Sequence, residues 1–469
     1  VHREGVIMEE KMVFEDAKKK ILDLVGEKHF KAAREELLNF NYADIGEILE
    51  DILEEIGINE TIVIFRLLPK NTAVEVFSYL PADDQVRIIN VITDTEISYI
   101  IDELDFDDKI DVLEELPANV VDKILEKTPR NERKLINTFL NYPESTAGTL
   151  MTPTYISLEQ EWTVRKALDH IKKEGMDSET IYTCYVKSAG RKLEGIISLK
   201  KLVISDDDAI IGDLMLREFV EINVYEDQES VSEKFMKYGF LAMPVVDNEQ
   251  RLVGIITVDD IFDVIEEEAT EDMERMAGVL DDSDIDYLDM SVWRHVKNRF
   301  PWLFFLMLSY VLTGKILSAS ENTLAQIPAL VVYMPMLMGT GGNSGSQSAT
   351  LVIRGISLGD IELKDGLKVL WKEIRISFLI GLSLSILNFV RVMFEQSGNA
   401  KQVTIAFTVS VAMLAIVAAA KCIGSMLPLF AKKIGIDPAL MASPMISSLT
   451  DMVSISVYLV LAGIFLGVH

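Results

Sequence analysis

Cysteine is nearly absent from this chain: there are two, Cys184 and Cys422, far apart in sequence. That excludes a disulfide framework and a thiolate metal centre. Histidine is sparse too, at five scattered positions, and no spacing among them makes a zinc site. No Gly-rich phosphate loop ending in Lys-Ser or Lys-Thr is present, so no nucleotide-hydrolysis motif is legible and nothing points to an enzyme. No secretory signal precedes the first part, which is expected to stay in the cytoplasm. The chain opens on Val1; Met8 reads as the natural start, with the residues up to about Gly5 an addition.

What the chain has is acid, with a net charge of −29 over 469 residues. Its length suggests about three domains at ~150 residues each. The negative charge lies upstream of Ser291; from there to His469 the chain is apolar and mildly basic. An acidic module repels nucleic acid and attracts cations. On charge alone, plain solubility explains it as well.

Residues 1–143 read as an acidic domain of successive helices. Apolar positions recur at helical spacing, as in Ile97, Ile100, Ile101 and Leu104. Leu68-Pro69, Leu80-Pro81, Leu116-Pro117 and Thr128-Pro129 punctuate them, since proline ends one helix and suits the start of the next. Asp83, Asp94, Asp107 and Asn131 are the expected N-caps. The pattern suggests an irregular, solenoid-like stack of helix pairs. The acidic run Asp102, Glu103, Asp105, Asp107, Asp108, Asp111 reads by itself as a solvated helix face.

Residues 144–262 contain an internal repeat. Leu150-Met151 matches Leu214-Met215, and Leu193-Glu194-Gly195-Ile196-Ile197-Ser198 matches Leu252-Val253-Gly254-Ile255-Ile256-Thr257. Each copy reads as strand, helix, two strands, helix. The apolar strands 181–186, 195–198, 243–246 and 254–257 suit small buried sheets. This resembles a tandem pair of α/β CBS domains, a regulatory module. The resemblance implies adenine-nucleotide binding (ATP or a relative) through a Ser or Thr followed three residues on by Asp. The second copy keeps Thr257 and Asp260; the first has Ser198 but Lys201. One nucleotide site and a purely structural pair both remain open.

From Asp259 to Asp281 runs a long acidic helix, assigned with the linker as a connecting segment, 263–290. Its apolar stripe is Ile261, Val264, Ile265 and Met273. Like charges at i,i+4, such as Glu267–Glu271 and Glu268–Asp272, destabilise it unless a cation or partner intervenes.

Residues 291–469 read as a membrane domain with five spans, 300–319, 326–353, 371–394, 402–431 and 439–467. Basic residues cluster before the first span, between the second and third, and between the fourth and fifth. The positive-inside rule then puts the N-terminus inside and the C-terminus outside. The second span carries an unusual polar run, Gly339 to Thr350, with Asn343 and Gln347 on one face. Such a surface is tolerated at membrane depth only when buried in protein or lining a watery path; close packing through small residues explains its glycines but not its amides. The last span carries one formal charge, Asp451, which costs at least ~2.5 kcal/mol in hydrocarbon. Pro444 is expected to disturb the helix below it and free carbonyls there. Oxygen ligands without His or Cys favour Mg²⁺, Ca²⁺ or Mn²⁺. A salt bridge from Asp451 to the deep Lys421 is the plainer alternative.

Over nearly its whole length the chain resembles the MgtE family of magnesium channels and transporters. The most specific motifs are Pro335 to Leu351 and Asp437-Pro438-Ala439-Leu440 with Ser443-Pro444 and Thr450-Asp451. The resemblance implies a homodimer in the lipid bilayer of the plasma (inner) membrane, importing Mg²⁺. It implies that Asp451 is the pore carboxylate, with Gly342 and Ser447 carbonyls beside it and Ser346, Thr350 and Ser443 lining the path. Family members have Asn at the positions of Ser346 and Ser443, so selectivity among divalent cations is the point of departure. It further implies that cytoplasmic Mg²⁺ bridges regulatory acids and holds the gate shut. Those acids would be Asp107, Asp108, Asp227, Glu229, Asp260, Asp263, Glu268, Glu271 and Asp272, while one regulatory carboxylate position is Gly239 here. Two other classes fit less well: a membrane-anchored cation sensor that conducts nothing, and an exporter coupled to Na⁺ or H⁺.

Overall fold

A computed structural model describes residues 2–188, 190–279, 287, 290–396, 401–441 and 443–467. The chain divides into two compact units, Val1–Ile265 and Glu266–His469.

The first unit opens with helices α1 (His2–Gly26), α2 (Phe30–Leu37), α3 (Tyr42–Glu55), α4 (Ile58–Leu67) and α5 (Lys70–Ser78). It continues with α6 (Ala82–Ile89), α7 (Asp94–Glu103), α8 (Phe106–Glu115), α9 (Ala118–Lys127) and α10 (Arg130–Phe139). Pro69, Pro81, Pro117 and Pro129 each occupy the position just before a helix, as the sequence predicts. The expected caps are corrected. Thr93, not Asp94, caps α7, in a reciprocal capping box with Glu96. Asp105 takes the cap position of α8, and Pro81 and Pro129 take those of α6 and α10. Asp83, Asp107 and Asn131 sit inside the first turn instead, where the helix dipole favours the two acids.

After α11 (Ala147–Leu150) come β1 (Tyr155–Glu159), α12 (Val164–Glu174), β2 (Thr180–Lys187), β3 (Leu193–Ser198), α13 (Leu199–Val203) and α14 (Ile211–Leu214). The second copy follows as β4 (Ile222–Asn223), α15 (Gln228–Tyr238), β5 (Ala242–Val246) and β6 (Leu252–Thr257). Each copy has a three-stranded sheet with one parallel and one antiparallel pairing, β1-β2-β3 and β4-β5-β6. The strands of the second antiparallel pair, β5 and β6, are apolar and almost wholly buried, as a sheet covered on both faces requires. The core of the helical stack continues into the second copy: Ile110, Phe139 and Met151 belong to the same buried cluster as Ile222, Phe235 and Ile256.

Helix α16 (Val258–Ala277) leaves β6 directly and crosses the boundary between units. Ile261 and Val264 are buried, but Met273 is 71% exposed. Met276, one residue short of a further turn, packs on Ala349, Ile353 and Ile446 instead. The acids Asp281, Asp282, Asp284 and Asp286 lie outside the described residues.

The second unit adds α17 (Val292–Ala319), α18 (Glu321–Gln326), α19 (Ala329–Ser357), α20 (Gly366–Glu395), α21 (Gln402–Lys433) and α22 (Ser443–Leu466). Among the described residues, four segments are long and apolar enough to cross a membrane: Val292–Ala319, Leu363–Glu395, Gln402–Lys433 and Pro438–Leu466. Helix α19, the expected second span, is long enough but too polar to stand among them. Helix α21 is central and packs against α19, α20 and α22. Glycine makes this possible. A Cβ on Gly424 of α21 would lie 2.1 Å from the carbonyl oxygen of Gly345 on α19.

Candidate functional site

Helix α19 has two different faces. Gly341, Gly342 and Gly345 are packed against α22: a Cβ there would meet Ser454, Ser447 and Ile446 at 2.6, 3.3 and 2.7 Å. The other face, with Asn343, Ser346, Gln347 and Thr350, lines a cavity of about 720 Å³. Close packing therefore accounts for the glycines, and the amides open onto space. The structure brings Gly342 and Ser447 together across the α19–α22 contact and sets Ser346 and Thr350 on the cavity side. The side chain of Ser443 lies outside the described residues.

Asp451 follows Ser447 by one turn of α22 and is half-buried. The Tyr310 hydroxyl of α17 donates to its Oδ2 at 3.3 Å. The alternative of a salt bridge to Lys421 is corrected. Lys421 Nζ donates to Ser348 Oγ at 3.2 Å and lies 3.9 Å from Glu373 Oε2. Glu373, on α20, is a carboxylate that the sequence reading passed over. Its signal was present: an acid within a segment apolar enough to span. The expectation for Pro444 is also corrected. Helix α22 begins at Ser443, so Pro444 falls in its first turn, where a missing N–H costs nothing. A 3₁₀ turn, Pro438–Met441, precedes it in the chain.

In the first unit, carboxylates on α8, on α16 and just before β2 crowd together. Burial, with Asp108 and Asp105 nearby, pushes Asp107 up to about 6. Burial, then Asp105 and Asp260, does the same to Asp108, also to about 6. Asp260 rises to about 7 through burial and Asp107, although the Thr257 hydrogen bond opposes the rise. Glu179, beside β2 and unremarked in the sequence, is pushed to about 8 by burial and by Asp107, Asp105, Asp260 and Asp259. Its distance along the chain from α8 and α16 hid it. Such a cluster holds protons or demands a cation. Among the described residues, no three His, Cys, Asp or Glu side chains are already arranged around a common metal position.

The remaining expected acids are spread. Asp227 caps α15, accepting from the Glu229 N–H at 3.1 Å, and both are exposed. Asp263 is exposed on α16. Gly239 ends α15 with φ +65°, a left-handed position that glycine fills without strain. In the second unit, Arg275 of α16 bonds Glu271 and reaches Asp437 Oδ2 at 2.6 Å, just before the turn leading to α22. Asp272 is raised by burial and then by Asp437 and Glu268.

Thr257 is buried, and its hydroxyl donates to Asp260 Oδ2 at 2.7 Å. The large cleft of the CBS pair is elsewhere: about 670 Å³, bounded by Tyr182, Ser198, Lys201 and residues Gly239 to Pro244. In the first copy, Ser198 Oγ accepts from the Lys201 N–H at 3.2 Å.

A family model described as a divalent cation transporter, MgtE, matches residues 334–461. The MgtE intracellular N domain matches 40–145, and a CBS domain matches 211–267. The magnesium transporter MgtE of Thermus thermophilus is 37% identical over 334 residues, 71% of this chain and 73% of that protein. The magnesium transporter MgtE of Bacillus subtilis is 33% identical over 342 residues, 73% of this chain and 74% of that protein. The crystal structure of the cytosolic domain of the Mg²⁺ channel MgtE in complex with ATP is 30% identical, with a TM-score of 0.49, covering 53% of this chain and 99% of that one. The chain belongs to the MgtE family of divalent cation transporters.

Proposed function

We propose that this chain moves Mg²⁺ across a membrane, and that Asp451 is the carboxylate its substrate meets. The observation that carries the reading is the pairing of a half-buried acid on an apolar helix with a polar, glycine-packed helix beside it. Mg²⁺ gives up its waters reluctantly and is held by one or two carboxylates plus neutral oxygens. Asp451 and the carbonyls at Gly342 and Ser447 supply that set, and Ser346, Thr350 and Ser443 line the path to it. Inward flux follows the membrane potential, worth ~2.3 kcal/mol per charge per 100 mV.

Helix α19 serves as a fifth span, protected from lipid by its neighbours and a partner protomer. An odd number of spans with basic inner loops places the N-terminus and CBS pair in the cytoplasm and the C-terminus outside. The working unit is a homodimer. Cytoplasmic Mg²⁺ acts as its own regulator: it neutralises Asp107, Asp108 and Asp260, with Asp227, Glu229 and Asp263 on the same unit. Along α16 it meets Glu268, Glu271 and Asp272. Mutual repulsion of these acids drives the opposite state when Mg²⁺ falls. An adenine nucleotide binds the CBS pair through Thr257 and Asp260, the pair that the second copy keeps.

Reconstituted full-length protein in liposomes, loaded with a Mg²⁺ indicator, tests the reading. Uptake that follows an imposed negative-inside potential without Na⁺ or H⁺ gradients supports a channel. Flux that requires either gradient makes it an exchanger, and no flux makes it a sensor.

A further inference from the structure

The triad Glu373, Ser348 and Lys421 is used by nothing proposed so far. Its three members come from α20, α19 and α21, and are 7%, 1% and 4% exposed. Ser348 Oγ donates to Glu373 Oε2 at 2.7 Å and accepts from Lys421 Nζ at 3.2 Å. A buried ion pair is a poor means of holding helices together, because desolvation offsets its attraction. Nor is it needed for that purpose here. One turn away, Gly345 and Gly424 already bring the α19 and α21 backbones into contact. The pair has another distinctive property: Glu373 and Lys421 both line the cavity that Ser346 and Thr350 face. A full negative and a full positive charge thus stand on the wall of a space bordered by oxygen ligands.

We propose that Glu373 and Lys421 are a charge-balanced pair that sets the electrostatic potential along α19, and through it the affinity for the permeating divalent cation. The inference rests on the reading that α19 and α22 border the ion path. Paired, the two charges nearly cancel for an ion passing Ser346 and Thr350. Unpaired, either one acts on a divalent ion with twice its force on a monovalent ion. Lys421 left alone repels Mg²⁺ from the path. Glu373 left alone traps it, raising affinity and slowing release. Ser348 is the positioning residue that fixes both partners.

The test is Mg²⁺ uptake into liposomes by the full-length chain, measured against external Mg²⁺ for Glu373→Gln, Lys421→Met and the double variant. Glu373→Gln should raise the half-saturating concentration, and Lys421→Met should lower it, each on the order of tenfold. The double variant should return close to the wild-type value. Singles that shift the same way, with a double no better than either, mark a purely structural contact and overturn the proposal. Where a single variant does not insert, Glu373→Asp and Lys421→Arg decide: both keep the charge, so wild-type half-saturation supports the proposal and a common shift overturns it. Asp451→Asn is run alongside. Wild-type flux in that variant overturns the ion path itself, whatever the Glu373 variants do; lost flux leaves the path standing and the pair judged on its own results.

Discussion

Carboxylates behave in opposite ways in the two units. In the first, Asp107, Asp108, Asp260 and Glu179 are half-buried beside one another, and their proton affinities rise together. In the second, each deep acid has its own donor: Tyr310 for Asp451, Ser348 for Glu373. A crowd of unreconciled charges responds to whatever neutralises it, which suits a sensor. A single acid held in place by a hydroxyl suits a path. The same side chain serves both ends because its neighbours differ.

The largest expected effect separates the two. Asp451→Asn removes the path charge while retaining shape, and uptake should fall at least ~100-fold with thermal unfolding little changed, because the buried charge costs more than it contributes to folding. Asp107→Asn with Asp108→Asn and Asp260→Asn should do the reverse. Flux survives, and inhibition by Mg²⁺ on the cytoplasmic face weakens by on the order of tenfold for the loss of several charged ligands.

Protons sharpen the contrast. A carboxyl with a raised folded-state value is destabilising once ionised, so its contribution falls as pH climbs from the ordinary carboxylate range through about 6 for Asp107, about 7 for Asp260 and about 8 for Glu179. Without divalent ions, the first unit in the intact chain should therefore melt at a higher temperature at pH 5.5 than at pH 8.5. Added Mg²⁺ should raise that temperature more at pH 8.5, where the acids are bare, and should release protons near pH 7. Calorimetry of the full-length chain in detergent reads both. The smallest effect belongs to Arg275→Ala. Its contact with Asp437 is about one-third exposed, so its loss costs under ~1 kcal/mol and shifts Mg²⁺ inhibition only a few-fold.

Much of this was legible in the sequence, for local reasons. The repeat Gly195-Ile196-Ile197-Ser198 and Gly254-Ile255-Ile256-Thr257 marks the antiparallel strands β3 and β6 because alternation and turn chemistry act over a few residues. The prolines mark helix starts for the same reason. Partner choice across the chain was not legible. Lys421 had two acids within reach of a helical bundle, Asp451 and Glu373, and only packing assigns it to the second. Glu179 enters the acidic cluster from a separate domain, and no periodicity links it to Asp107. Met276 replaces Met273 on the packed face because contact with Ala349 and Ile446, rather than the stripe begun at Ile261, fixes the end of α16.

The central claim is that the crowded acids of the first unit govern the path on which Asp451 stands. The direct measurement is Mg²⁺ uptake against Mg²⁺ on the cytoplasmic face, for wild type and for the Asp107→Asn, Asp108→Asn, Asp260→Asn variant in the same liposomes. The wild type should close as that concentration rises, and the variant should need on the order of tenfold more Mg²⁺ to close. Superimposable inhibition curves would contradict the claim.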